Sequence, residues 1–184
     1  MLVPILNLAL AEISILILIT FALRAMDYKD NLKLKKRHRQ LTLAQYVKRR
    51  NGVALGGKGA LGKMFKRSFG SGTFEGFWRY WNPLWGYFLA KWFFIPLKNF
   101  LPTALAVMIT FAISGALHDL AVILLTKKIS YLITLWFSVM GVFLVLLTSL
   151  NVNYEKAHFI VRATINLSII VLSYLLASQI GSRI

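Results

Sequence analysis

The chain has 184 residues, 58% of them hydrophobic, with 22 Lys and Arg against 6 Asp and Glu, a formal net charge of +16 and no cysteine; its mean hydropathy is +0.65. Long uncharged runs alternating with one concentrated basic block exclude an ordinary soluble domain, in which charges are interspersed. The lack of cysteine excludes disulfides, thiolate metal sites, iron–sulfur clusters and thiol catalysis, so any chemistry must come from His, carboxylate, hydroxyl or amide groups.

A hydrocarbon core about 30 Å thick needs roughly 20 apolar residues at about 1.5 Å rise each. Residues 3–23 are the first such stretch, interrupted only by Glu12. No basic residue precedes them and no small-residue cleavage site comes before Arg24. This argues against a removable signal peptide and for a permanent anchor with its N-terminus outside.

Of the 22 basic residues, 14 lie between Arg24 and Arg67, directly after that stretch. Lys and Arg packed beside a span predict a cytoplasmic segment over 24–73, attracted to anionic lipids. Aromatic residues are not interleaved with this block as a stacking platform requires, so no nucleic-acid partner is expected. Residues 41–50 predict a short basic helix with Leu43, Ala44 and Val47 on one side, lying on the headgroups. Gly57 to Gly62 fits G-x-G-x-x-G, and Gly57 to Lys63 fits G-x-x-x-x-G-K. Neither has a buried strand before it, and Met64 occupies the place of a magnesium-binding hydroxyl, so a flexible basic loop is expected there.

Residues 74–94 hold 11 of the 25 aromatics, a density that belongs at the membrane–water boundary. Within 74–97, the apolar run 84–97 is short for a span, carries Lys91 and ends at Pro96, so an interfacial or re-entrant helix is expected. Three further spans follow: 100–126, opened by Pro102 and stopped by Lys127 and Lys128; 129–150, uncharged; and 157–180. The expected fold is therefore all-α: one membrane domain over 1–184, a polytopic transmembrane helical bundle of about four spans plus the aromatic helix.

Ionisable groups inside apolar segments are costly and mark cavities or reaction sites. His118 stands well inside its span, where desolvation favours the neutral ring. Ser114 is at i−4 on the same face, while Asp119 is turned about 100° away. The Ser114–His118 pair fits a nucleophile with its base and equally an interhelical hydrogen bond. At and just before the last span, Glu155, His158, Arg162 and Asn166 are spaced i, i+3, i+7 and i+11. On one helix they form a polar stripe facing the bundle interior, where Arg162 would meet Glu12 or an anionic ligand. Sheltering that stripe against another surface leads to the expectation of a homo-oligomer.

The run Phe77-Trp-Arg-Tyr-Trp-Asn82-Pro, followed by Phe111 and by Ser114-Gly-Ala-Leu-His118-Asp119, resembles the membrane-bound O-acyltransferases. The likeness is to a short form of their wax-synthase and sterol or diacylglycerol acyltransferase branch, and it covers residues 72–125. It implies acyl transfer from a thioester donor, usually acyl-CoA as co-substrate, to a hydroxyl acceptor such as a lipid, without a resident cofactor or metal. His118 takes the catalytic histidine position and Asn82 the second polar position. Neutral His118 would remove the hydroxyl proton, and the Asn82 amide would donate to the oxyanion or orient the acceptor. Trp78, Trp81, Ser114 and Asp119, with Arg162, complete the expected substrate-binding set. The rival expectations are a non-catalytic scaffold built from the same helices, or a small transporter with a His118–Arg162 proton relay.

Overall fold

The computed structural model describes residues 41–183, which form helices joined by turns, with no strand among them. The expected span at 3–23, with Glu12, and the first part of the basic segment lie outside the described residues. The short helix expected at 41–50 is α1 (Leu43–Asn51). A reciprocal capping box starts it: the Gln45 amide N–H donates to Thr42 Oγ1 (3.3 Å) and the Thr42 N–H to Gln45 Oε1 (3.0 Å). Gly52, at a φ of +79°, ends it in the left-handed conformation that suits glycine. Its buried side is Tyr46, Val47 and Asn51 rather than Leu43 and Ala44.

The glycine-rich stretch departs from expectation. Only its first part is a loop, because α2 (Ala60–Phe69) begins directly after Gly59. Asn51 Nδ2 donates to the Ala60 carbonyl (2.9 Å), and Phe65 and Phe69 set their rings edge-on against Trp81. Apolar packing on the aromatic segment thus overrides the local glycine content.

Three long helices follow: α6 (Thr103–Thr126), α7 (Leu132–Ser149) and α8 (Phe159–Gly181). Each is long and apolar enough to cross a membrane, with mean hydropathies of 1.9, 2.2 and 1.9. The chain is thus an integral membrane protein with a polytopic helical bundle. Their ends agree with the expected spans to within three residues. Helix α7 is central, packed on α6 along one side and on α8 along the other. The α6–α7 approach is set by glycine: a Cβ on Gly115 would come within 2.7 Å of the Ile133 carbonyl oxygen and the Thr134 Cα.

The aromatic segment is a hairpin inserted beside this bundle. Its incoming arm is α3 (Phe74–Tyr80), and its outgoing arm is α4 (Pro83–Leu89), prolonged through a π turn (Ala90–Phe94) into α5 (Ile95–Leu97). Pro96 has no N–H and would collide with a carbonyl one turn earlier in a regular α-helix, and the wider π turn before it relieves that conflict. Both ends of the hairpin lie at one end of the bundle. Gly72 touches Glu155 in the α7–α8 connection, and Leu97 leads within a few residues to the start of α6. Between them the hairpin climbs, with Trp78 against Phe111 (5.0 Å) and Phe137 (6.0 Å), and Trp85 bonded to Ser114, about halfway along α6. The hairpin thus enters and leaves at one end of the bundle and reaches about halfway along α6. Helices α1 and α2 pack on the hairpin, through Tyr46 against Tyr87 and Phe65 against Trp81.

Candidate active site

The tip of the hairpin is Asn82, at a left-handed φ of +39°, a conformation asparagine tolerates better than most residues. Asn82 caps α4, its Oδ1 accepting the Trp85 backbone N–H (3.2 Å), and Pro83 occupies the first helical turn. Trp85 is thereby aimed at α6. Its indole N–H donates to Ser114 Oγ (3.0 Å), and its ring stands edge-on to the His118 imidazole at 5.8 Å. Phe137 of α7 stacks on the same imidazole at 5.2 Å.

His118 Nδ1 lies 2.6 Å from the Ser114 backbone oxygen. A carbonyl can only accept, so the contact requires a hydrogen on Nδ1 and leaves Nε2 outside it. The histidine is on the exposed side of α6, whereas Ser114 is buried. The Ser114 hydroxyl is engaged by Trp85 and not by His118, so the nucleophile-and-base pairing is not the one formed.

Asp119 has a different surrounding. It is 2% exposed, and its carboxylate accepts the Ile133 N–H (3.2 Å), the Thr134 N–H (2.7 Å) and the Thr134 hydroxyl (2.6 Å). These N–H groups belong to the first turn of α7, so Asp119 caps a neighbouring helix and places negative charge at its positive end.

Trp81 is held among Phe65, Phe69 and Phe77 between α2 and α3. Trp78 sits between α3, α6 and α7, its Nε1 buried without a hydrogen-bond partner among the described residues. Hairpin and bundle therefore bring together Asn82, Trp85, Ser114 and His118. Trp85 is the member that sequence reasoning missed. Its signal was present in Asn82-Pro83-Leu84-Trp85, which reads as N-cap, N1, N2 and N3, and fixes which way the N3 side chain points.

The polar stripe of the last span is corrected by the structure. Helix α8 starts at Phe159, because Asn153 Oδ1 takes the Glu155 N–H (2.8 Å) in a turn and His158 is the N-cap, accepting from Ile160 N (3.4 Å). Glu155 is thus off the helix. Asn166 is fully buried, accepting from the Tyr154 hydroxyl (2.6 Å) and donating to the carbonyls of Ser71 (3.0 Å) and Phe69 (3.3 Å). It needs no second copy to shelter it. Burial pushes the Tyr154 hydroxyl, in the turn before α8, up to about 12. Arg162 has no ion-pair partner among the described residues, and its Nε is buried without a hydrogen bond there.

Lys48, Arg49, Lys58, Lys63, Lys66 and Arg67 are exposed on α1, α2 and their connection, against the flank of the hairpin. A polar cleft of about 160 Å³ lies near the base of the hairpin, lined by Gly72, Arg79 and Glu155 among others. Arg79 pairs there with Glu75. Compared with protein-family profiles, curated proteins and solved structures, the chain matches none.

Proposed function

We propose that the chain is a membrane-embedded acyltransferase that moves an acyl group from a thioester, acyl-CoA, to a lipid hydroxyl. One observation carries the reading: His118 directs Nδ1 to the Ser114 carbonyl, which leaves Nε2 to act as the proton acceptor. His118 Nε2 takes the acceptor's hydroxyl proton as the oxygen attacks the thioester carbonyl. The tetrahedral intermediate then collapses, the C–S bond breaks, and the imidazolium returns the proton to the thiolate, giving ester and free thiol. No covalent enzyme intermediate is required.

The basic helices support the choice of donor. Exposed lysines and arginines cannot face lipid tails, so the hairpin flank they cover meets water or headgroups, and it offers positive charge to a phosphate-bearing thioester. With the basic segment cytoplasmic, both ends of the hairpin lie on that side and the Lys127–Lys128 turn on the other. Because the chain has no cysteine, single Ala60→Cys and Lys128→Cys variants report sidedness directly. Labelling of position 60 only from outside would overturn this orientation.

The activity is tested on protein in nanodiscs with radiolabelled acyl-CoA and a panel of lipid alcohols. Wild type forms labelled ester, and His118→Ala lowers the rate by about 10² to 10⁴, the usual worth of a positioned general base. Unchanged transfer in that variant removes His118 as the base.

The commitment of Asp119 and Asn166 to holding helices together favours a second reading, a non-catalytic scaffold on the same fold. It predicts acyl-CoA or lipid binding with no turnover in any variant.

A further inference from the structure

We infer that Asn82 and Trp85 form one positioning unit for His118, in which Asn82 acts through its side-chain oxygen and not as a donor to the reacting carbonyl. This rests on the acyl-transfer reading for its kinetic part and on the structure alone for the rest. Among the described residues, the only side-chain bond of Asn82 is made by Oδ1, to the backbone N–H of Trp85. From Trp85 two contacts run onward: the indole N–H to Ser114 Oγ, and the ring edge to the imidazole. Ser114 in turn supplies the carbonyl that holds His118 Nδ1. Every contact from Asn82 toward His118 therefore passes through Trp85, and the cap at the tip determines where the indole lands.

Each end of this relay has a reason to be built as it is. The first turn of α4 has orphan N–H groups, and an asparagine oxygen satisfies one while tolerating the left-handed φ of +39° that turns the hairpin. A buried serine hydroxyl on α6 would otherwise lack a donor, and the indole N–H reaches it only if α4 starts where Asn82 starts it. The imidazole is bonded at Nδ1 and bounded by Trp85 and Phe137, and these three contacts set the direction of Nε2. A general base needs that fixity, because its contribution depends on reach and angle as well as on proton affinity.

Two substitutions separate the positioning role from a direct oxyanion donor. Asn82→Asp keeps an oxygen to accept the Trp85 N–H but removes the amide donor. Asn82→Gly keeps the left-handed backbone and removes the cap. The positioning unit predicts that Asn82→Asp stays within about threefold of wild-type kcat, while Asn82→Gly and Trp85→Phe each lose roughly tenfold. A direct donor predicts the reverse for aspartate, a loss of about 10² or more, since a carboxylate would repel the oxyanion.

A spectroscopic readout is independent of turnover. In protein labelled with 15N-histidine, with the His118 signals assigned by their loss in His118→Gln, wild type should show the Nδ1–H form of the neutral ring. Asn82→Asp should retain that form, whereas Asn82→Gly and Trp85→Phe should shift it toward a mixture of tautomers. Trp85→Phe preserves an aromatic ring of similar packing, so it tests the N–H specifically. Loss of the tautomer preference in Asn82→Asp, or its full retention in both Asn82→Gly and Trp85→Phe, would overturn the positioning unit. If the wild-type chain turns over no thioester, the acyltransferase reading fails by itself, and the nitrogen spectra still decide whether Asn82 orients His118 through Trp85.

Discussion

Two asparagines sit among apolar helices in this molecule, and their surroundings are completed to different degrees. Asn166 uses both amide hydrogens and its oxygen on Phe69, Ser71 and Tyr154, and is fully buried. Among the described residues Asn82 makes one side-chain bond, at an exposed tip, and the exposed His118 also makes one. A polar group removed from water must be bonded or it costs stability. The Asn166 cluster has met that requirement within the chain and behaves as a fastener. The tip has bonding capacity left over, which is what a site that receives something must have. His118 and Asp119 repeat the contrast between adjacent residues: one has no partner for Nε2 among the described residues, and the other gives its carboxylate to the first turn of α7.

The sharpest way to break this contrast is a pair of matched substitutions at the two neighbours. His118→Gln preserves hydrogen bonding but cannot take a proton, so acyl transfer should fall by about 10² to 10⁴ with the unfolding midpoint unchanged. Asp119→Ala should do the opposite, costing about 2–4 kcal/mol because a buried cap is lost and two helix N–H groups are orphaned. Thermal unfolding followed by tryptophan fluorescence in detergent, beside the transfer assay, reads both. A stable Asp119→Ala protein, or an unfolded His118→Gln one, would erase the distinction.

Asn166→Leu comes next, at about 2–3 kcal/mol, since two carbonyls and the Tyr154 hydroxyl lose their partner. Protease protection around residues 69–72 should drop with it, because those carbonyls tie the α2–α3 junction to α8. Gly115→Ala is expected to cost about 1–3 kcal/mol, by driving a methyl into the α7 backbone. The midpoint of that variant measures how rigidly α6 and α7 are joined.

The smallest effect is one of pH. The Tyr154 hydroxyl has its folded-state value raised from 10.0 to about 12. Its contribution to stability is therefore complete below pH 10 and is lost as pH rises from about 10 toward 12. Absorbance of tyrosinate near 295 nm, compared between wild type and Tyr154→Phe, should show one tyrosine ionising late, and the phenylalanine variant should lack that part of the alkaline destabilisation.

The three later spans were legible because roughly 20 apolar residues in a row admit few other structures. For 84–97, length alone left an interfacial helix, a re-entrant one and a span open, and its hairpin shape appears only in the contacts across to α6. The capping by Asp119 could not be read, since its partners lie 14 and 15 residues on, in a different helix. Asn166 was harder still, with carbonyl partners 95 and 97 residues away. Its spacing with Glu155 suggested a stripe only because the helix was assumed to begin early. Local turn chemistry at Asn153 and His158 sets the true start. For the site, His118 and Asn82 were singled out from a motif, while the residue that joins them, Trp85, emerges only when the two arms of the hairpin are placed against α6.

The π turn at Ala90–Phe94 makes the aim of the tip a matter of counting residues. Each residue of an α-helix advances the side chains by about 100°, and a π turn absorbs one residue more than a regular turn over the same rise. The same residues wound as a regular α-helix would carry that extra residue on as rotation. Every side chain of the tip would be intact, yet Trp85 would stand about 100° further round relative to Pro96, away from Ser114. The phase of the arm, stored a turn and more from the chemistry, is therefore as much a determinant of where the indole points as any group it touches.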